Sequence, residues 1–298
     1  MTKPLITILT AAYDRADTIP ALYKSLLQQN NFNFEWLIVD DGSKDETKEI
    51  IHKYQENTTK FKIRYVFEHN KGKHFALNLG IKNISTELTF IVDRADTITS
   101  NAIDIVEKTF YSQKNLSRIC GLSFLKADHN GSILSNKKFP YDGYITSYLK
   151  SRESMGIMED TAEVFITKVL KKYPFPEFKN EKFLSEDIVW VEMSKQYNMI
   201  FYNKIIYIAE YLGNGLTKNR RKNNWNSPNG CMLRGKLLLE SPIVSKRRKF
   251  KWGLFYDVYG LRAGHSSIQL VRINKSIYTI FLMLPAKILF IKWKMDFG

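Results

Sequence analysis

Acidic residues gather at four places in this 298-residue chain where their neighbours could do chemistry. Tyr13-Asp14, Asp40-Asp41-Gly42-Ser43 and Asp93-Arg94-Ala95-Asp96 each follow a short apolar, β-branched run, and Glu186-Asp187 opens an amphipathic stretch. Carboxylates spaced in this way can hold a divalent cation against a polyphosphate or take a proton from an attacking hydroxyl. The same residue types also make turns and caps, and an acidic pair in a first helical turn complements the helix dipole. Glu159-Asp160 is read in that second way. Two cationic features accompany them: Lys73, in a Gly-Lys-His turn, and GLTKNRRKNNWNSPNG at 215–230. Lys218, Arg220, Arg221 and Lys222 in that stretch can fold over a diphosphate or form a solvated linker.

The elements that must position these residues follow from periodicity. Strands are expected at 5–12, 34–41, 62–68, 88–93 and 119–125, with amphipathic helices at 18–29, 45–55, 74–81 and 101–114. Short strands alternating with crossover helices predict an α/β fold with a mostly parallel sheet flanked by helices. Ligands of such sheets bind outside the carboxyl ends of the strands, so the first three clusters are expected to converge on one site. From 141 to 211 the rhythm loosens. Helices are expected at 161–173 and 185–197 and a strand-like pair at 199–211, together forming the second-substrate side of the crevice.

Charge divides the chain unevenly. Residues 1–215 hold 28 Lys/Arg against 27 Asp/Glu, whereas residues 216–298 hold 17 against 3. A polyanionic partner is thereby restricted to the tail, and no nucleic-acid-binding spacing accompanies the charge, so no nucleic acid is expected. The tail combines SKRRKFKWGLFYDVYGL (245–261) with an apolar run, Ile277 to Ile291, that Pro285 and Lys287 interrupt. It falls short of the roughly 20 residues that cross a bilayer and is read as a membrane-surface anchor, the alternative being a helical module packed on the body. The N-terminal apolar run is too short for a secretory signal, and Cys120 and Cys231 lack zinc or disulfide spacing, which suggests a reducing compartment. GxGxxG, GxxxxGK[ST] and HExxH are absent, which argues against dehydrogenases, P-loop ATPases and zincins.

ITILTAAYDR, LIVDDGSKDET, NKGKHFALNLGI, FIVDRAD and LSEDIVW resemble, in order and spacing, the motifs of family 2 glycosyltransferases over about residues 5–215. YLGNGLTKN resembles the loop after the last catalytic-domain strand of bacterial members. The resemblance implies an inverting transferase of GT-A fold: a catalytic domain at 1–215, with a nucleotide-binding half (1–125) and an acceptor half (126–215), then a basic loop and helical tail at 216–298. It implies that Thr10, Ala11, Tyr13 and Arg15 cradle the nucleobase. Asp40 and Asp41 match the turn whose carboxylate accepts the uracil N3–H, and a base presenting that donor is a uridine nucleotide. Lys73 and Asp93 match positions near the sugar donor and its ribose. Asp187 matches the base that receives the acceptor proton, with Glu186 as orienter or acceptor ligand.

The chain departs from the family at 93–96, where Asp-Ser-Asp-Asp is usual and Asp-Arg-Ala-Asp stands here. Ala95 replaces the usual metal ligand. Mn2+ or Mg2+ would then be held more weakly by Asp93 and Asp96; alternatively Arg94 neutralises the diphosphate in place of metal charge, or the site is inactivated. The function expected from the resemblance and the tail is transfer from a UDP-sugar to a saccharide acceptor, lipid-linked, in bacterial cell-surface polysaccharide synthesis. The enzyme would be cytoplasmic, peripheral on the inner face of the cell membrane. A binding subunit with an impaired site is the alternative, and a nucleotidyltransferase, whose glycine-rich N-terminal loop is missing, is a third.

Overall fold

Every residue of β1 (Ile6–Ala12) and of β2 (Phe34–Asp40) is buried. Strands covered on both faces lose the polar alternation of a half-solvated sheet and read as continuous apolar runs. The computed structural model describes residues 3–93, 95–135, 137–157, 161–210 and 220–297. Between and after those two strands run α1 (Ile19–Leu27), α2 (Thr47–Asn57), β3 (Lys62–Phe67), α3 (Lys73–Asn83), β4 (Leu88–Ile91), β5 (Thr97–Ile98), α4 (Ala102–Tyr111) and β6 (Ile119–Ala127). The chain continues as β7 (Tyr144–Thr146), α5 (Tyr148–Ser154), β8 (Ala162–Ile166), α6 (Thr167–Leu170), α7 (Asp187–Met193) and β9 (Asn198–Ile208). Five helices follow: α8 (Arg220–Trp225), α9 (Pro228–Glu240), α10 (Lys246–Arg262), α11 (Ser267–Asn274) and α12 (Ile277–Phe297).

The strands form one nine-stranded sheet in the order β3-β2-β1-β4-β8-β6-β9-β5, with β7 also on β9. The first four are parallel; β8 runs against both β4 and β6, while β6 and β9 are parallel. Helices pack closely enough to need small residues. A Cβ on Gly80 of α3 would lie 2.4 Å from Leu9 Cδ1 of β1. The core built on this sheet includes Ile8, Trp36, Phe90, Phe124, Val164 and Ile200. Each such fully buried side chain contributes roughly 1.5–3 kcal/mol.

Three expected elements differ. The stretch 161–173 is not one helix: AEVFI forms β8 and only TKVL is helical. A short apolar run has no decisive period, and the edges of β4 and β6 supply the ladder partners that settle it as strand. The second helix is shorter than 185–197, running from Asp187 to Met193. The expected pair at 199–211 is a single eleven-residue strand, β9, whose pairing with β6 shifts register between Ser123 and Leu125. Glu159, Asp160, Gly213 and Gly215 lie outside the described residues.

The chain divides into two compact units, residues 1–174 with 193–212 and residues 175–192 with 213–298. The first contains the sheet. The second is helical, with a core in which Trp225, Val258, Tyr259 and Ala286 are buried. A Cβ on Gly235 of α9 would stand 2.9 Å from Tyr256 Cα of α10, a contact that sets how near those two helices run. Among the described residues no helix is long and apolar enough to cross a membrane.

Candidate functional site

The order β2-β1-β4 sets the carboxyl ends of three parallel strands side by side, at the point where the strand order reverses about β1. Backbone pairing carries the contact past the strand ends: Asp41 N donates to Ala12 O at 2.8 Å and Val92 N to Leu9 O at 3.0 Å. The segments beginning at Tyr13, Asp40 and Asp93 therefore emerge together.

Side chains then lash these loops to one another. Asp14, at φ +46°, donates its N–H to Ser43 Oγ (3.0 Å) and accepts from Lys44 N (2.7 Å). Arg15 N donates to Thr47 Oγ1 (3.0 Å) and Ala16 N to Asp45 Oδ2 (2.9 Å). Burial acts to raise the Asp45 pKa, but hydrogen bonds from Thr47 and neighbouring amides leave it below the usual carboxylate value. Asp40 is fully buried and accepts from Ser43 N (2.8 Å) and the Tyr65 hydroxyl (2.7 Å). Asp41, also buried, accepts from Lys71 N (2.7 Å) and Gly72 N (2.9 Å), one amide on each oxygen. Gly42 makes the turn possible: its φ is +81°, and a Cβ there would stand 2.7 Å from Asn70 N. The DDGSKDET run is thus the brace between three loops.

Thr10 is buried and its hydroxyl accepts from Trp36 Nε1 (3.1 Å); Ala11 is buried beside it. Tyr13 is partly exposed, and the Asp14 charge, ahead of burial, raises its phenol pKa. Arg15 donates from Nη1 to Asp14 O (2.8 Å), while its Nε is buried without a partner among the described residues. Arg94 and Lys218 lie outside the described residues.

Lys73, at the start of α3, makes an ion pair with Asp93. Asp96 is buried, with Oδ2 receiving the Tyr207 hydroxyl (2.6 Å) and Oδ1 receiving Glu210 N (2.8 Å). Tyr207 also accepts from Asp93 N (3.0 Å), so one phenol of β9 ties both ends of the 93–96 turn. Burial first, then the Asp93 charge, raises the Asp96 pKa; burial likewise drives the Tyr207 phenol well above its ordinary value. This donor set does not fit an ion held by protein carboxylates alone. Asp93 is paired with an ammonium, Asp96 faces inward, and position 95 is a methyl group. Among the described residues no group of three His, Cys, Asp or Glu side chains could hold a metal.

In the second unit, Asp187 opens α7. Its Oδ1 receives the Ser185 hydroxyl (2.6 Å) and its Oδ2 receives Nε (2.9 Å) and Nη2 of Arg234. The guanidinium lies 5.0 Å over the Trp252 ring, so a packed aromatic fixes the cation that fixes the carboxylate. Arg220 shares a small recess with Ser185 and Arg234, so the basic stretch contributes at least one cation beside the partners of Asp187. Glu181 receives the N–H groups of Asn229 (2.7 Å) and Gly230 (2.9 Å), capping the start of α9. Burial pushes both thiols, Cys120 and Cys231, up to about 12, so neither supplies a thiolate at neutral pH.

Sequence reasoning missed Tyr207, Arg234 and Ser185. A tyrosine in a core strand must find a partner for its hydroxyl, which is the signal Tyr207 offered. Arg234 offered none, being one cation among many in the tail.

Residues 7–114 match the family described as Glycosyl transferase family 2. A poly-beta-1,6-N-acetyl-D-glucosamine synthase of Staphylococcus aureus (strain MSSA476) is 28% identical over 164 residues, 54% of this chain and 38% of the relative. The chain thus spans well under half the length of that relative. Among solved structures, S. aureus TarS 1–349 in complex with UDP-GlcNAc superposes with a TM-score of 0.61 at 16% identity, over 94% of this chain and 79% of that one. The mannosyltransferase PcManGT from Pyrobaculum calidifontis, in complex with GDP-Man and Mn2+, gives 0.56 at 13% identity, over 98% and 84%. The shared fold is that of these glycosyltransferases.

Proposed function

We infer that this chain, whose residues 7–114 match glycosyl transferase family 2, transfers a sugar from a UDP-sugar to a saccharide acceptor with inversion. The observation that carries the reading is the convergence of three polar loops at the strand-order reversal, braced by Asp40, Asp41 and the Ser43–Thr47 network. A site braced before the nucleotide arrives does not spend binding energy on ordering loops. The two structural neighbours carry different bases on one fold, UDP-GlcNAc in TarS and GDP-Man in PcManGT. Base choice therefore rests on this chain's own residues. In this reading Tyr13 covers the uracil face, Asp40 or Asp41 accepts its N3–H, and Asp93 holds the ribose with Lys73 beside the diphosphate.

Inversion requires a base for the incoming hydroxyl, and Asp187 serves as that base with Glu186 orienting the acceptor. Arg220 and Arg221, with Lys218, meet a diphosphate of the donor or of a lipid-linked acceptor. The acceptor is a lipid-linked saccharide reached at the inner face of the cell membrane, in cell-surface polysaccharide synthesis. Mn2+ or Mg2+ enters this reading only as an ion bound with the donor phosphates, since the carboxylates among the described residues do not assemble a cage. The inward-turned Asp96 and the methyl group at 95 favour, as a second reading, a subunit that binds donor without turning it over.

Calorimetric titration with UDP, GDP and ADP, with and without manganese, tests the donor. UDP is expected to bind in preference to the other two; equal binding of GDP, or none of UDP, would remove the uridine assignment. Release of UDP from a UDP-sugar separates the transferase from the binding subunit. If Ala95→Asp raises manganese-dependent turnover, the site lacks only that ligand, and no gain counts against a lost metal site.

A further inference from the structure

Helix α12 is apolar on two faces, and among the described residues one of them is left uncovered. Its inner face brings buried Ala286, with Leu289, Phe290 and Trp293, onto Trp225, Val258 and Tyr259. Its outer face carries Ile280, Phe281, Leu284, Ile288, Ile291 and Met295, which are 56–75% exposed. Their spacing of three and four residues places all six in one stripe along the helix. At 1.5 Å per residue the stripe is about 22 Å long.

The charges at the two margins of the stripe are basic, and the single exposed acid of the helix, Asp296, lies in its last turn and further round than Lys292. On the helical wheel, exposed Lys287 and Lys294 flank one margin and exposed Lys292 the other. Phe250, 54% exposed, sits edge-on to Tyr278 at 5.1 Å and so brings the start of α10 beside the first turn of α12. That end of α10 carries exposed Lys246, Arg247 and Lys251. A second copy of this chain would set like charges against like. An anionic bilayer offers the complementary arrangement, phosphates for the margins and acyl chains for the stripe. Lysine stems can lie along the apolar surface while their ammonium groups reach the headgroups.

We propose that α12 lies in the plane of an anionic membrane, with the Ile280 to Met295 stripe sunk to the headgroup–acyl boundary and the α10 cations on the surface beside it. The inner face of the helix stays on α10, so the helix is a float attached to a folded unit and not a span. The inference rests on the membrane-side reading of the acceptor and gives it a named surface.

The test is flotation of the full chain with phosphatidylcholine vesicles, with and without phosphatidylglycerol. The wild type is expected to float with the anionic vesicles and to be released by salt. Phe281→Asp with Ile288→Asp should lower partitioning at least about tenfold, and each Lys→Glu change at 287 or 292 several-fold. Both sets should keep the wild-type urea midpoint, because these side chains face solvent. A wild type that ignores both vesicle types, or stripe variants that float unchanged, would overturn the proposal. So would sedimentation showing that Phe281→Asp dissolves a self-associated form while lipid binding is unaffected. UDP titration of the same variants keeps the outcomes separate: vesicle binding without UDP binding sinks the donor reading alone, and the reverse sinks only the membrane surface.

Discussion

Replacing Asp257 by Asn should stabilise the helical unit, and the gain should grow with pH. Asp257 is fully buried on α10, and neither carboxylate oxygen has a hydrogen-bond partner among the described residues. Gly253 and Gly260, one turn to either side, pack on Leu282 and Leu270, so the shared face is apolar. Burial raises the carboxyl pKa from 3.8 to about 8. In the unfolded chain the group loses its proton near 3.8; in the folded chain it keeps it until about 8. Between those values the folded state binds more protons, so stability is full below the unfolded pKa and falls as pH rises through the window, levelling above it. At 1.36 kcal/mol per unit the window is worth up to about 5–6 kcal/mol, an upper bound that local relaxation and water entry reduce to roughly 2–4. Asn keeps the shape and removes the proton linkage, leaving a pH-independent cost of about 1–3 kcal/mol for its own unpartnered amide. Urea unfolding followed by tryptophan fluorescence from pH 5 to 9 reads this directly, since Trp190, Trp225, Trp252 and Trp293 all lie in that unit and only Trp36 lies in the other. Parallel pH profiles for wild type and Asp257→Asn would refute the reasoning.

Two further perturbations test the braces of the candidate site. Gly42→Ala puts a Cβ at a left-handed φ and 2.7 Å from Asn70 N, and should destabilise the sheet unit by about 1–3 kcal/mol and weaken UDP binding; hydrogen exchange of the 68–72 amides would report it, and unchanged exchange would show that the turn adapts. Arg234→Ala removes the guanidinium from Asp187 and should lower turnover about tenfold or more while UDP affinity stays at the wild-type value. Arg234→Lys should recover only part of that loss, because an ammonium cannot make the side-on pair.

The N-terminal half of the fold was legible because its central strands are buried on both faces and its helices are bounded by turn chemistry. β1 and β2 are rich in apolar and β-branched residues, broken only by Thr7 and Thr10 in one and Glu35 in the other, and DDGS marks the end of β2. AEVFI was not legible as strand, since five apolar-rich residues before TKVL extend a helical pattern equally well, and only the ladders on β4 and β6 decide. The single long β9 was read as two because Asn203 and Lys204 interrupt its apolar pattern; the register shifts against β6 absorb them. At the site, residue types marked the place but not the work. Asp96 had the identity of a metal ligand, and only the fold shows it turned onto Tyr207 and Glu210. Asp187 could be singled out from its motif, whereas Arg234, 47 residues later, could be joined to it only through tertiary contact.

The discontinuous first unit has a consequence for how this chain is made and cut. The sheet needs β9, yet the chain leaves it at 174 and returns at 193, after 175–192 has joined the helical unit. On a ribosome, the parallel strands β1 to β4 emerge first, but the β6 edge stays open until residues 198–208 arrive. A protease or a designed truncation at 215, the place where the charge changes, would not release an intact transferase body. It would leave residues 175–192 joined by the chain to the first unit and parted from the rest of their own, and Asp187 would lose Arg234 with the cut.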